Sequence, residues 1–323
     1  MRRSLICIPL LTVLVSLAGC NENKSSKNSA KTQEFKWEES DSTLRFSKGS
    51  DLVWQYNFNN RFGKPYFHPL QVNNINLSWE SPADHTWHLG LWFSWKFINE
   101  LNYWEYMGGH ASEKTGFRSE GVTDIENIEI KKNEDFYTNI CLAINYHPQD
   151  GETIMNESRN ITIAPPAEDG SYYIDYSFSF SSAGDDVLID RTPLEGEPGG
   201  QSWGGYSGMS IRFNQDLGDS IMLIPESIKP GSKDDFMYIG FITEKGTAGL
   251  AILCNPDYST PSTGWYITTN PGIPFNYFSP SALYDKNYLL KKGETLTLKY
   301  RVWILPGKVS EDDLKNKLDK YIQ

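Results

Sequence analysis

Cysteine is scarce in this chain, four in 323 residues, and none of the four is placed to staple a fold. Cys7 and Cys20 sit near the N-terminus. Cys141 and Cys254 fall in the apolar runs "NICLAINY" and "GLAILCNP", where two buried free thiols are favoured over a bridge. Basic charge is short as well: 30 Lys and Arg face 41 Asp and Glu, a net −11 with histidine neutral. That balance makes nucleic acid and anionic membrane surfaces poor partners. After residue 20 no run approaches the roughly 20 apolar residues of a spanning helix. There is no P-loop and no G-x-G-x-x-G leading into a helix. "GYSGMS" is not a G-x-S-x-G elbow, and nothing places a helix after it, so serine nucleophile chemistry has little support.

What the first residues do contain is a leader. "MRRSLICIPLLTVLVSLAGC" joins two arginines to an apolar run from Leu5 to Leu17 and ends Leu17-Ala18-Gly19-Cys20. Small residues before the cut and a thiol to take a diacylglyceryl group make residues 1–19 a lipoprotein signal and Cys20 the lipidated residue. Residues 20–34 are too poor in apolar side chains to fold and read as a tether. The mature chain is therefore expected to be lipid-anchored in the bacterial cell envelope, touching membrane through lipid alone. Without Arg2 and Arg3, 28 basic side chains face 41 acidic ones, a net charge of −13.

From residue 35 onward, period-two alternation dominates. "YYIDYSFSF" sets Ile174, Tyr176, Phe178 and Phe180 against Tyr173, Asp175, Ser177 and Ser179. "LTLKYRVWI" repeats the pattern, and turn-rich stretches such as "EGEPGGQSWGGYSG" separate the runs. One helix is expected, in "VSEDDLKNKLDKYIQ", with Ser310 as N-cap, acids in its first turn, and Leu314 and Leu318 on one stripe. Strand after strand without intervening helices predicts an all-β chain: one antiparallel β-sandwich domain over 35–323 with a short C-terminal helix, expected to be a monomer.

Three of five histidines and four of ten tryptophans fall in "PADHTWHLGLWFSWKFINELNYWEYMGGH". Strict alternation from Trp87 predicts Trp87, Leu89, Leu91, Phe93, Trp95 and Phe97 on a core face. His88, Gly90, Trp92, Ser94 and Lys96 would then share the other face, where an imidazole, an indole and an ammonium around a glycine resemble the wall of a sugar site. The following loop adds Tyr103, Trp104, Glu105, Tyr106, His110 and Arg118, with Tyr103 and Glu105 expected to face the same way. His85 and His88 stand three apart, on opposite faces of a strand unless "SPADH" is a turn. If it is, His68, His85, His88 and His110 with Asp84 or Glu105 could hold a transition metal, a possibility that stays open beside a metal-free reading.

"GKPYFHPL", "DHTWHLGLWFSWKFINELNYWE", "GGYSGMSIRF" and "YRVWILPG" resemble the PmoA-like family of Bacteroidetes lipoproteins over about residues 50–310. The family pattern has arginine just after the second histidine, where Leu89 stands here. Its name invokes a methane oxygenase, an integral membrane protein, and the lack of a spanning helix after residue 20 argues against that activity. The resemblance implies instead a role among polysaccharide-degrading enzymes, and nearest to hand is an oligosaccharide dehydratase of ulvan breakdown. "LLKKGETLTLKYRVWILPG" also resembles the closing strand of the galactose-mutarotase supersandwich, a fold shared with polysaccharide lyases and sugar epimerases.

Loss of water across C4–C5 of a terminal uronate is a β-elimination that needs a base, an acid and a carboxylate clamp, with no cofactor. On this reading His88 or His85 is the base and Tyr103 or His110 the acid. Arg118 or Arg212 clamps the carboxylate, and Trp92 and Trp104 stack on sugar faces. His68, Lys96 and Tyr206 complete the substrate contacts, and the ligand is a uronate-containing oligosaccharide. A hydrolase would instead draw paired carboxylates from Glu105, Glu113 and Glu120. Mutarotation, or sugar binding without chemistry, remain alternatives.

Overall fold

Alternating side chains along most of the chain are answered by strands that pair antiparallel in every neighbouring ladder of two large sheets. The computed structural model describes residues 35–106, 119–218, 221–270 and 275–323; the leader and tether, Cys20, His110, Glu113 and Arg118 lie outside them. The first sheet runs in the order Phe35–Glu39, Thr43–Lys48, Asp51–Asn57, Tyr66–Val72, Leu91–Ser94, Gly208–Arg212, Phe275–Ser281, Gly264–Asn270. The second runs Ile221–Ile224, Phe236–Thr243, Gly246–Cys254, Thr295–Pro306, Tyr172–Ser182, Met155–Ile163, Thr138–Pro148, Gly121–Lys132. The unit so formed spans Glu34–Gln323.

One face of each sheet meets the other in a shared core, as a sandwich requires. Phe93 lies 4.4 Å from Phe178 between ring centroids, and Phe67 lies 6.4 Å from Tyr176. Ile174, Tyr176, Phe178 and Phe180 are all in that core. Two charged residues join the inward row of Met155–Ile163: Arg159 Nε bonds Glu157 Oε1 at 2.5 Å, and the guanidinium lies 5.0 Å from the Phe178 ring. The helix is Glu311–Ile322, closed by a capping box between Ser310 and Asp313. Its Leu314 and Leu318 pack with Phe236, Tyr238, Leu253 and Leu305 in a separate cluster.

Two expectations need correction. Cys141 is exposed, because it falls in the outward row of Thr138–Pro148; only Cys254 is buried, and the two are unbridged. The strand expected from Trp87 is only Leu91–Ser94. Leu91, Phe93 and Trp95 enter the main core, but Trp87 and Leu89 pack with Tyr66, Trp92, Trp104 and Tyr277 in another cluster.

Gly90 is the cause. Its φ of 73° breaks the alternation. Its N–H donates to the Trp79 carbonyl at 2.9 Å, and its own carbonyl accepts from the Arg212 N–H at 2.9 Å. A Cβ here would stand 2.3 Å from the Phe67 carbonyl oxygen. Gly90→Ala is therefore expected to cost at least about 1–3 kcal/mol of stability, from the left-handed backbone and that clash. Denaturant midpoints of the two proteins check this, and equal midpoints would show that the segment is not pinned.

Candidate functional site

The aromatic cavity lies on the outer face of the first sheet. In Gly264–Asn270 and Phe275–Ser281, Trp265 and Phe278 point into the main core, while Tyr266, Thr268, Phe275 and Tyr277 line a cavity of about 550 Å³. His85, Trp87 and His88 reach it from the turns before Gly90. Trp104 and Glu105 come from the turn after Leu101–Asn102, and Trp203 and Tyr206 from the glycine-rich stretch before Gly208–Arg212.

His88 is only 4% exposed. Its ring stacks on His85 at 4.7 Å and on Tyr277 at 5.3 Å, with Trp92 tilted against it at 5.0 Å. Its buried Nδ1 has no hydrogen-bond partner among the described residues. Burial, then the charges of His85, Arg212 and Lys64, hold His88 well below the ordinary histidine pKa, so it is neutral at neutral pH. Behind the stack stands a relay of charge. His85 Nδ1 bonds Asp84 Oδ2 at 2.9 Å, and Arg212 Nη2 donates to the same oxygen at 2.8 Å. Burial alone would raise the Asp84 carboxyl; the bonds from Arg212 and His85 outweigh it and leave its pKa below the usual carboxylate value. The Arg212 guanidinium lies 3.8 Å from the Phe275 ring centroid.

A second group of charges underlies the opposite wall. Lys96 Nζ bonds both Glu105 oxygens, at 2.7 and 2.9 Å, and lies 5.5 Å from the Tyr206 ring centroid. Lys64, 2% exposed, donates to the Trp104 carbonyl at 2.6 Å and the Trp87 carbonyl at 3.3 Å. It thus ties together the backbones of two tryptophans that line the cavity. Burial brings its pKa down to about 7, Glu105 opposing and Lys96 assisting.

Of the residues picked out by sequence, His85, His88, Trp104, Glu105 and Tyr206 line one cavity. Lys96 and Arg212 stand behind its walls, each held by a carboxylate. Trp92 offers no face to a ligand, because it is sealed beneath His88. Tyr103 is in the main core, 5.8 Å from Tyr146; the chain turns at Trp104 and Glu105, so Tyr103 and Glu105 diverge. His68 is not among the lining residues: its Nδ1 is 3.0 Å from Ser78 Oγ, and its Nε2 is 4.0 Å from Glu80, which also accepts from the Tyr66 hydroxyl. Among the described residues, no three His, Cys, Asp or Glu side chains are grouped to hold a metal ion. Sequence reasoning missed Lys64, Trp203, Tyr266, Thr268, Phe275 and Tyr277. The one available signal was "GWYITTN" and "PFNYFS", strands with aromatics on both faces, which implies two buried sides.

The Lys64 amine makes stability depend on pH. Between about pH 7 and the ordinary lysine value the unfolded chain holds a proton that the folded chain lacks, so stability rises with pH across that window. From pH 7 to 9.5 the wild type is expected to gain on the order of 2–3 kcal/mol relative to Lys64→Met. Urea unfolding of both proteins at the two pH values measures it; parallel behaviour would mean a solvated amine.

The comparisons with known proteins give a family and only partial superpositions. No curated protein matches the sequence. A proposed aldose 1-epimerase from Klebsiella pneumoniae is similar in structure at TM-score 0.42 and 8% identity, over 87% of this chain and 84% of that one. A galactose mutarotase related enzyme from Lactobacillus acidophilus is similar at 0.29 and 9%, over 85% of this chain and 100% of that one. A polysaccharide lyase is similar at 0.30 and 13%, over 88% of this chain; the chain spans only 34% of that protein's length. Superposition at this level places no side chain of the cavity. The sequence itself is decisive on one point: residues 43–319 match the profile of the Family of unknown function (DUF6807), and the chain belongs to that family.

Proposed function

We propose that the protein is a carbohydrate-active carbon–oxygen lyase, a dehydratase that removes water from the non-reducing-end uronate of ulvan-type oligosaccharides. The observation that carries the reading is the stacked His85–His88 pair in an aromatic cavity, one imidazole kept neutral by burial and the other bonded to a carboxylate. Pairs of titratable groups whose surroundings differ in this way divide acid and base roles between them. The rings of Trp87 and Tyr206 supply flat apolar faces for the C–H side of a sugar, and a few polar groups orient it.

In this mechanism neutral His88 takes H5, whose acidity comes from the adjacent uronate carboxylate. The C5–H electron pair becomes the C4=C5 double bond as the C4–O bond breaks. His85, bonded to Asp84 through Nδ1, gives a proton from Nε2 to the departing hydroxyl, which leaves as water. His88 then gives its proton to solvent and His85 takes one back, so that both rings return to their starting states. Arg212 is engaged by Asp84, so we assign the carboxylate clamp to Arg118, a residue outside those the structure describes. Hydrolysis fits less well, because it needs two carboxylates flanking the bond and Glu105, bonded to Lys96, is the single cavity carboxylate among the described residues. With the anchor read at Cys20, the enzyme works at an envelope membrane on fragments released there.

Purified protein mixed with uronate oligosaccharides should produce an unsaturated chromophore and a product lighter by one water. His88→Ala should lower turnover about 10²–10⁴-fold with the fold intact. The neutral base is lost as pH falls, so the acid limb of kcat/KM should lie below the usual histidine pKa. Full activity in His88→Ala removes that imidazole from the chemistry. New reducing ends without the chromophore mean a hydrolase, and binding without product means a sugar-binding module.

A further inference from the structure

We infer that the cavity extends into a second sugar subsite whose platform is Trp203, so that the substrate is a chain of at least two rings. The inference rests on the carbohydrate reading above and adds chain length to it. Trp203 is 55% exposed, whereas Trp104 and Tyr277 in the same cavity are each 2% exposed. A single surface indole is ordinary; what sets this one apart is how firmly its segment is held at the rim.

Arg191, buried, donates through Nη2 to both Glu197 oxygens at 2.7 and 2.9 Å and to the Asp285 carbonyl at 2.8 Å. Glu197 in turn accepts from the Leu194 N–H at 2.7 Å. The segment then folds back on itself. A Cβ on Gly200 would stand 1.9 Å from the Leu194 carbonyl oxygen, and one on Gly204 2.0 Å from that of Pro193. A strap wound this tightly has given up its own conformational freedom and still presents a large apolar ring to water. Pre-ordering of that kind lowers the entropic cost of ligand binding.

Three residues on, Tyr206 packs on Trp104 at 5.0 Å between centroids, so the same strap supplies both the rim and part of the inner wall. The volume of about 550 Å³ is within the range that takes a drug-sized ligand, more than one sugar ring. With the reacting ring beside the imidazoles, the next ring toward the reducing end lies with its C–H face on Trp203.

The test compares a methyl glucuronoside with an ulvan-derived trisaccharide ending in the same uronate, on wild type, Trp203→Ala and Trp203→Phe. The ratio of trisaccharide to monosaccharide kcat/KM should fall about tenfold in Trp203→Ala, carried by KM, and recover in Trp203→Phe. An unchanged ratio overturns the inference while leaving the carbohydrate reading intact. If calorimetry finds that the wild type binds neither sugar, the carbohydrate reading falls and the subsite with it.

Discussion

A single left-handed glycine decides which side of the first sheet Trp87 and Leu89 occupy. Gly90 is pressed against the Phe67 carbonyl and bonded on both sides, to Trp79 and to Arg212. Residues before it leave the ladder and pack on the outer face of the sheet; residues after it return to the ladder and the core. Trp87 and Leu89, which unbroken alternation would bury beside Leu91 and Phe93, thereby join His88 and Tyr277 on the cavity side. The wall of the cavity before residue 90 follows from that one backbone conformation, which side chains disfavour.

The electrostatics behind the cavity are those of cations balanced within the protein. Arg212 is matched by Asp84 and Lys96 by Glu105, while Lys64 relies on two carbonyls. Buried charges survive only when so paired or when they shed their proton. Both solutions occur here within one small region. A neutral His88 is the combined product: dry surroundings first, then the positions of His85, Arg212 and Lys64, leave it no reason to charge.

Much of the architecture could be read from alternation alone, because burial on one face imposes it directly. The strands at Tyr172–Ser182 and Thr295–Pro306 and the helix with its Ser310 cap follow from pattern. Glu157 and Arg159 show why pattern outranks polarity: they occupy the inward row, and their mutual bond makes that tolerable. Of the cavity, the neighbourhood between residues 82 and 106 was visible, since those residues are close along the chain. Which of them face the cavity was not, because a turn at Gly90 and another at Trp104 change the facing. Tyr266, Phe275 and Tyr277 arrive through pairings nearly two hundred residues from His88, and local sequence holds no record of strand order.

The hollow lies on the outside of the sandwich, not between its sheets. The residues that hold the two layers together and the residues that line the hollow are therefore largely different sets, separated by the thickness of one sheet. Drift in the turns and straps above that sheet can reshape what is accepted without opening the interior.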